Sequence, residues 1–161
     1  MKRALVITAS NRAFAGVYED KSGKILVEGL EKMGYQITEA IIVPDDIDQI
    51  ASAIKNGIDR NIDLIVTTGG TGVSPMDITP EATAPLVEKI LPGFSEAVRA
   101  YARDKVPTTD LSRAIAGVTD KSFIVNLPGS PGGVKDGLVI LERLASHIHE
   151  QVAGHDHSAS N

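Results

Sequence analysis

The chain has 161 residues, of which 42% are hydrophobic and 23% charged, so it is long enough and apolar enough to fold as one soluble globular domain. It contains no cysteine, which excludes disulfides, thiolate metal sites, iron–sulfur clusters and cysteine nucleophiles. Its net charge of −5, with 4% aromatic residues and no dense basic stretch, argues against nucleic-acid binding.

Short segments with strand character alternate along the chain with helical patterns. The predicted strands are the β-rich segments 4–8, 36–43, 63–67, 113–118 and 122–127. The predicted helices are residues 22–33, a helix capped by Asp46, one capped by Thr79, one after Pro92-Gly93 and a last one that begins at Ser130. In the last helix, apolar residues recur every three or four positions from Val134 to Val152, which is typical of an amphipathic helix.

This alternation predicts the α/β fold class, here a single three-layer α/β/α domain with a mostly parallel sheet. We expect the domain to span residues 1–153 and a flexible polar tail to follow over 154–161. Ligands of parallel sheets bind beyond the carboxyl ends of the strands. This rule directs attention to four loops, at residues 10–18, 44–48, 68–79 and 126–133.

The sequence also bears on location. No apolar run approaches the ~20 residues that cross a bilayer, so we expect no membrane partner. The chain begins directly with a strand-like segment rather than with the pattern of a secretory signal. We therefore expect a cytoplasmic protein.

The loop after the third predicted strand is rich in glycine, with Gly69, Gly70 and Gly72 close together. Backbone amides that glycine leaves unshielded can converge on an anion, so this loop predicts phosphate binding. The alternative is a tight turn that only needs glycine for its backbone angles. The loop is not a Walker A motif, and Pro75 stands where the dinucleotide-binding fingerprint would need its third glycine.

Two acidic residues are candidates for the same crevice. Asp77 follows the glycines, and a carboxylate beside a bound phosphate requires a cation between them, a role that Mg²⁺ fills for nucleotides. The alternative for Asp77 is an ordinary helix cap. Asp45 ends the second predicted strand and can face the same edge of the sheet.

A second loop rich in glycine and proline, residues 126–133, again follows a strand and opens a helix. Ser130 is predicted to cap that helix. A strand-to-helix turn with a packed backbone is the alternative for this loop alone. Two such loops at one sheet edge favour a shared ligand crevice.

Other polar residues are weaker candidates. His147, His149, His155 and His157 form two His-x-His pairs, for which we expect no native metal site. All four histidines lie near the C-terminus, and no Ser–His–acid arrangement is visible. Ser112-Arg113 stands at the start of a predicted strand, where an ordinary polar turn with a solvent-facing arginine is the simplest interpretation.

These motifs together resemble the molybdopterin-binding family, which includes bacterial molybdopterin adenylyltransferases and the corresponding domains of gephyrin and the plant molybdenum insertase. The central match is Thr67-Thr68-Gly69-Gly70-Thr71-Gly72, followed by Asp77 and by Thr79-Pro80-Glu81-Ala82. Further matches follow the family's order from Ala4 to about Leu144: residues 16–23, Val43-Pro44-Asp45, Pro92-Gly93-Phe94, Leu111-Ser112-Arg113 and Asn126-Leu127-Pro128-Gly129.

The resemblance implies an enzyme of molybdenum cofactor biosynthesis that adenylylates molybdopterin with ATP and Mg²⁺ and releases pyrophosphate. It also implies a homotrimer and a separate molybdenum-insertion protein that acts downstream. Catalysis is assigned to Asp45 and Asp77, with Mg²⁺ held through Asp77. The implied ligand contacts are Ser10, Gly69, Gly70, Thr71, Gly72, Ser112, Arg113, Asn126, Pro128, Gly129 and Ser130.

The sequence departs from the family's pattern at two places. Many relatives have Ser-Asp-Arg where this chain has Ser10-Asn11-Arg12, and some carry an arginine where this chain has residues 73–76. Two other functions therefore stay open. One is a protein that binds molybdopterin without adenylylating it, and the other is an unrelated nucleotide or phosphosugar enzyme on a similar sheet.

Overall fold

The computed structural model describes residues 1–155 and builds them around one sheet. Within that range the strands are β1 (Arg3–Ala9), β2 (Gln36–Val43), β3 (Leu64–Thr68), β4 (Lys89–Ile90), β5 (Ala116–Thr119) and β6 (Ser122–Leu127). The strand order is β2-β1-β3-β6-β5-β4. The pairs β1–β2, β1–β3 and β3–β6 are parallel, whereas β5 is antiparallel to both β6 and β4. The prediction of a mostly parallel sheet is therefore confirmed.

Helices cover both faces of this sheet. They are α1 (Asn11–Phe14), α2 (Lys21–Lys32), α3 (Ile47–Asp59), α4 (Thr79–Thr83), α5 (Pro92–Ala102) and α6 (Pro131–Val152), with 3₁₀ turns at Ala84–Leu86 and Pro107–Leu111. Along β1, Ala4 and Val6 pack with α2, α5 and α6, whereas Leu5 and Ile7 pack with α3. This alternation follows from the two-residue repeat of a strand and gives the three predicted layers.

The predicted helix caps are confirmed at two of three positions. Asp46 accepts a hydrogen bond from the Gln49 amide at 2.9 Å, and Ser130 accepts one from the Gly133 amide at 3.1 Å. The prediction for Thr79 is wrong. Thr79 is already the first residue of α4, and its amide donates to the Gly70 carbonyl oxygen at 3.0 Å, so the loop and not a side chain sets the start of this helix.

The strand predicted over 113–118 begins only at Ala116. The reason is tertiary, because the Arg113 amide donates to the Thr71 carbonyl oxygen at 2.8 Å instead of to a neighbouring strand. Strand β4 was not predicted, since two exposed residues carry no periodic pattern. Within the loop predicted at 10–18, residues Asn11–Phe14 form one helical turn.

The chain leaves the sheet through α6, which ends at Val152. Most of the predicted tail, residues 156–161 with His157, lies outside the described residues, so its mobility stays a prediction. None of the helices within residues 1–155 is both long enough and apolar enough to cross a membrane.

Candidate active site

The glycine loop, residues 69–77, leaves β3 at the edge of the sheet where the parallel strands end. Gly69 has a φ of +98°, and a Cβ at this position would collide with the Ala9 carbonyl oxygen at the end of β1. Only glycine lets the chain pass so close to the neighbouring strand in this conformation. The loop is therefore held against the ends of β1 and β3.

The backbone amides of the glycine loop are available to a ligand. The Gly69 amide donates to the Leu127 carbonyl oxygen at 3.1 Å, and the Ser74 amide donates to Asp77 at 2.9 Å. In the part of the chain that the structure describes, the four amides between them, at residues 70–73, have no protein acceptor. Consecutive unpaired amides of this kind form an anion-binding concavity.

Asp45 lies on the Gly70 side of the loop. Its Oδ2 accepts a hydrogen bond from the Asn11 amide at 3.0 Å, and its own amide donates to Asn11 Oδ1 at 2.8 Å. Its Oδ1 lies 3.5 Å from the point where a Cβ on Gly70 would stand. The reciprocal pair with Asn11 thus fixes the carboxylate against the glycine loop.

Asp77 lies on the Gly72 side of the same loop. Its Oδ2 accepts from the Ser74 amide at 2.9 Å and lies 2.8 Å from the Cβ position of Gly72. Its side chain caps the turn of the loop and not α4, which has no side-chain cap. The two predicted acids therefore both lie beside the glycine loop, Asp45 at Gly70 and Asp77 at Gly72.

Thr79 is an unexpected polar group at this site. Its hydroxyl is buried, has no hydrogen-bond partner among the described residues, and stands directly beside Gly70. Buried hydroxyls are almost always paired, so an unpaired one at a candidate site indicates a group that binds a ligand. Sequence reasoning treated Thr79 only as a helix cap.

The second glycine–proline loop touches the first. A Cβ on Gly129 would lie 3.2 Å from the Gly69 Cα, so the two backbones are in close contact. The Thr68 hydroxyl donates to the Pro128 carbonyl oxygen at 2.7 Å, and the Ser22 hydroxyl donates to the Gly129 carbonyl oxygen at 2.7 Å. The predicted shared crevice is thus built from both loops and the start of α2.

A cavity of about 510 Å³ opens beside these loops. The predicted site residues in its wall are Thr71, Gly72, Ser112, Pro128 and Ser130. Asp45, Asp77 and Ser10 do not line it. The opposite wall includes Lys105 and Lys135, with Lys105 paired to Asp136 at 3.2 Å. No sequence motif marked these lysines, because only the folding of α5 and α6 brings them to the cavity.

Three predicted ligand contacts are engaged within the protein. The Asn126 side chain is 2% exposed, donates to the hydroxyls of Thr67 and Thr83, and accepts from the Ile115 amide. Ser10 accepts from the Ala13 amide at 3.1 Å and so caps α1. Arg113 binds the glycine loop and Glu81.

The acids also bear on metal binding. Across residues 1–155 there is no cluster of three or more His, Asp or Glu side chains that could enclose a metal. Among the described residues, Asp45 and Asp77 each accept a hydrogen bond only at Oδ2, which leaves one oxygen of each carboxylate without a partner. This donor set fits Mg²⁺, which takes one or two carboxylates and completes its shell with water and substrate phosphates.

A larger cavity, of about 590 Å³, lies at the opposite end of the sheet. It is lined by Tyr35, His149 and Lys2, among others, and contains none of the predicted site residues. His149 is buried, and its Nε2 lies 2.8 Å from the Tyr35 hydroxyl. Burial lowers the pKa of His149 and raises the pKa of Tyr35 to about 12, so the pair is neutral at physiological pH.

Residues 5–146 match the model of a family described as "Probable molybdopterin binding domain". The chain belongs to this molybdopterin-binding family. The match spans all the strands except the first two residues of β1 and includes every site residue predicted from the sequence.

Similar proteins carry names that are consistent with this family match. The molybdopterin adenylyltransferase of Helicobacter pylori is 46% identical over 136 residues, which cover 83% of this chain and 77% of the relative. That of Pyrococcus furiosus is 40% identical over 148 residues, which cover 89% and 86%. The molybdopterin biosynthesis Mog protein from Mycobacterium ulcerans has a TM-score of 0.90 at 42% identity, covering 94% of this chain and 99% of that one. The family and fold predicted from the sequence are confirmed.

Proposed function

We propose that this protein is a molybdopterin adenylyltransferase of molybdenum cofactor biosynthesis. The reaction joins the terminal phosphate of molybdopterin to the adenylyl group of ATP and releases pyrophosphate. The observation that carries the proposal is the glycine loop, where four amides without an acceptor among the described residues lie close to Asp45 and Asp77. The relatives named molybdopterin adenylyltransferase, at 46% and 40% identity, support it.

The chemistry needs no protein nucleophile. A terminal phosphate oxygen of molybdopterin attacks the α-phosphorus of ATP, the new phosphorus–oxygen bond forms, and the bond from that phosphorus to the β-phosphate oxygen breaks. The electron pair of the broken bond leaves with pyrophosphate. The protein must align two anions and stabilise the charge that moves, which is positioning and electrostatic catalysis.

Each residue of the site has a part in this reaction. The unpaired amides of residues 70–73 receive phosphate oxygens, and Asp77 would hold Mg²⁺. Bound Mg²⁺ would neutralise phosphate charge. Asp45, fixed by Asn11 beside Gly70, orients a substrate group. The 510 Å³ cavity gives room to the substrate beyond its phosphates, with Ser112 and Ser130 in its wall.

The buried Asn126 has a supporting part. Its side chain joins β3, α4 and the segment before β5, so we assign it to the support of the site. Gly129 and Pro128 likewise hold the second loop against the first.

The direct test is product formation. Purified protein incubated with Mg²⁺, ATP and molybdopterin should yield adenylyl-molybdopterin, detected by its mass. Tight binding of molybdopterin without this product would contradict the proposal and favour a binding protein of the same pathway.

We further propose a homotrimer that passes its product to a molybdenum-insertion protein. Light scattering should give three times the 17.0 kDa mass of the chain. A monomeric mass would contradict the trimer without affecting the reaction. The cytoplasmic location expected from the sequence stays a prediction.

A further inference from the structure

Three consecutive peptide units of the glycine loop share one arrangement, in which the carbonyl oxygen is held by a protein donor. The Gly70 carbonyl oxygen accepts from the Thr79 amide at 3.0 Å. The Thr71 carbonyl oxygen accepts from the Arg113 amide at 2.8 Å, and the Gly72 carbonyl oxygen accepts from Arg113 Nε at 2.8 Å. Arg113 therefore donates hydrogen bonds to the carbonyl oxygens of two of the three peptide units.

Holding a carbonyl fixes the direction of the next amide. In a planar trans peptide the C=O and the N–H of the following residue point in opposite directions. Within residues 1–155 every peptide bond is trans. The N–H groups of Thr71, Gly72 and Val73 are thus turned away from the donors that hold the loop, and none of the three has a protein acceptor in this range.

The guanidinium of Arg113 is itself locked in place. Nη1 donates to both carboxylate oxygens of Glu81, at 2.7 and 2.9 Å, and Nη2 donates to the Asp77 carbonyl oxygen at 2.8 Å. Together with the Gly72 carbonyl oxygen, this side chain donates to four acceptor atoms and links Gly72 to Asp77 at the end of the loop. A flat five-donor fork can make these contacts together, whereas a lysine ammonium cannot.

We propose that Arg113 and Glu81 form a clamp that aims the loop amides at the phosphates of the nucleotide. This inference rests on the proposed function and deepens it. Arg113 is then a positioning residue that acts through the backbone, in contrast to the direct ligand contact implied by the family resemblance. Glu81 belongs to the same device, because it holds the guanidinium against the loop.

Substitution of Glu81 distinguishes a direct phosphate contact by Arg113 from a positioning role, because the two predict opposite changes in nucleotide affinity. If Arg113 touched the phosphates, the Glu81 carboxylate would compete for its guanidinium, and Glu81→Ala would bind nucleotide as well as the native protein or more tightly. In the clamp, Glu81→Ala frees the guanidinium, loosens the amides and weakens binding.

The experiment is calorimetric titration of MgATP into the native protein and its variants. We expect Glu81→Ala to raise the Kd about tenfold, the lower end of the range for partners that orient a ligand group. Glu81→Gln, which keeps an oxygen acceptor for Nη1, should recover part of that loss. Glu39→Ala, which breaks the similarly exposed Arg60–Glu39 ion pair far from the loop, is the matched control and should leave the Kd unchanged.

Arg113→Lys tests whether the planar guanidinium with its five N–H donors is required. It keeps the positive charge, so a purely long-range electrostatic role predicts a near-native Kd. The clamp predicts weaker binding at an almost unchanged melting temperature, since the exposed pair adds little to stability. Near-native or tighter binding by either Glu81→Ala or Arg113→Lys would overturn the clamp.

MgATP titration and product formation together distinguish failure of the clamp from failure of the proposed function. Native protein that binds MgATP but makes no adenylyl-molybdopterin overturns the proposed function, and the variants still decide the clamp. Native protein that makes product while the variants bind normally overturns the clamp alone. Native protein that binds neither MgATP nor inorganic pyrophosphate overturns both.

Discussion

The side chain of Asn11 determines how Asp45 is held at the site. Asn11 stands where many relatives of the family have aspartate, yet its Oδ1 still accepts from the Asp45 amide at 2.8 Å. An amide oxygen does this as well as a carboxylate oxygen and adds no negative charge beside Asp45. The departure that was visible in the sequence therefore preserves the geometry of Asp45.

Asp77→Asn should abolish most of the activity without unfolding the protein. The asparagine Oδ1 can still accept from the Ser74 amide, so the loop keeps its turn. The charge for Mg²⁺ and the phosphates is lost, and we expect turnover to fall at least ~100-fold, the scale for losing one key electrostatic group. Steady-state rates and melting temperatures measure the two effects.

The control for this substitution is Asp48→Asn, an exposed acid in the first turn of α3. It should change neither rate nor melting temperature appreciably. A folded Asp77→Asn protein with near-native turnover would refute the role of Asp77.

Thr79→Val should stabilise the ligand-free protein. The Thr79 hydroxyl is buried and unpaired within the described chain, and valine replaces it with a methyl group of similar shape. Removing an unsatisfied buried polar atom should raise the free energy of unfolding by about 1 kcal/mol. Chemical denaturation without ligand measures this, and a loss of stability would show that the hydroxyl is hydrogen-bonded in solution.

At the scale of elements, the passage from β3 into the glycine loop depends on one backbone conformation. Gly69→Ala would need a left-handed backbone and would also drive its Cβ into the Ala9 carbonyl oxygen. Strain and overpacking each cost about 1–3 kcal/mol, so we expect a loss of stability of at least ~2 kcal/mol together with loss of activity. Denaturation midpoints compare the variant with native protein.

Gly16→Ala is the matched control for this effect. Gly16 also has a positive φ, of +74°, but a Cβ there would meet no atom within 4 Å. It should lose only the conformational part, about 1–2 kcal/mol. Equal losses for the two variants would show that the contact with β1 is unimportant.

The elements that the sequence predicted best are those with strong local patterns. The bounds predicted for β2 and β6 agree with Gln36–Val43 and Ser122–Leu127, because both segments are apolar, β-branched and bounded by turn residues. Helix α6 was predicted from its cap and its three- and four-residue repeat. Strand β4 was missed because it exists only through its pairing with β5.

The candidate site was predictable in part for the same reason. Glycines and acids at strand ends are local signals, and the topology of a parallel sheet brings them to one edge. The clamp of Arg113 on Glu81 joins residues 32 positions apart. No local pattern encodes that contact, nor the burial of Asn126 or the lysines of the cavity.

On the scale of the whole molecule, the sheet separates two chemically different ends. The carboxyl end holds the glycine loop, and the other end holds the buried pair of Tyr35 and His149. Phe123 and Tyr35 pack edge-to-face against the His149 ring. This end contributes to stability.

Stability should therefore fall in mild acid. Burial, followed by the charge of Lys2, lowers the pKa of His149 below its ordinary value of 6.5, and the nearby Asp63 opposes this in part. Below pH 6.5 the unfolded chain takes up this proton before the folded protein does, so the free energy of unfolding declines by at most about 1.4 kcal/mol per pH unit. The free energy of unfolding, determined by chemical denaturation at on the order of ten pH values between pH 8 and pH 5, measures this decline.

Two variants isolate this contribution. His149→Asn keeps a polar group for Tyr35 but cannot titrate, so its stability should depend less on pH. His147→Asn, at an exposed position of the same helix, is the control for the substitution itself. Parallel curves for native protein and His149→Asn would contradict the assignment.

Adenylyl transfer at the glycine loop is tested first by pyrophosphate release. Purified protein is supplied with Mg²⁺, ATP and freshly prepared molybdopterin, and each is then omitted in turn. We expect pyrophosphate to be released only when all three are present. No release from a folded protein that binds both substrates, or release without molybdopterin, would contradict it.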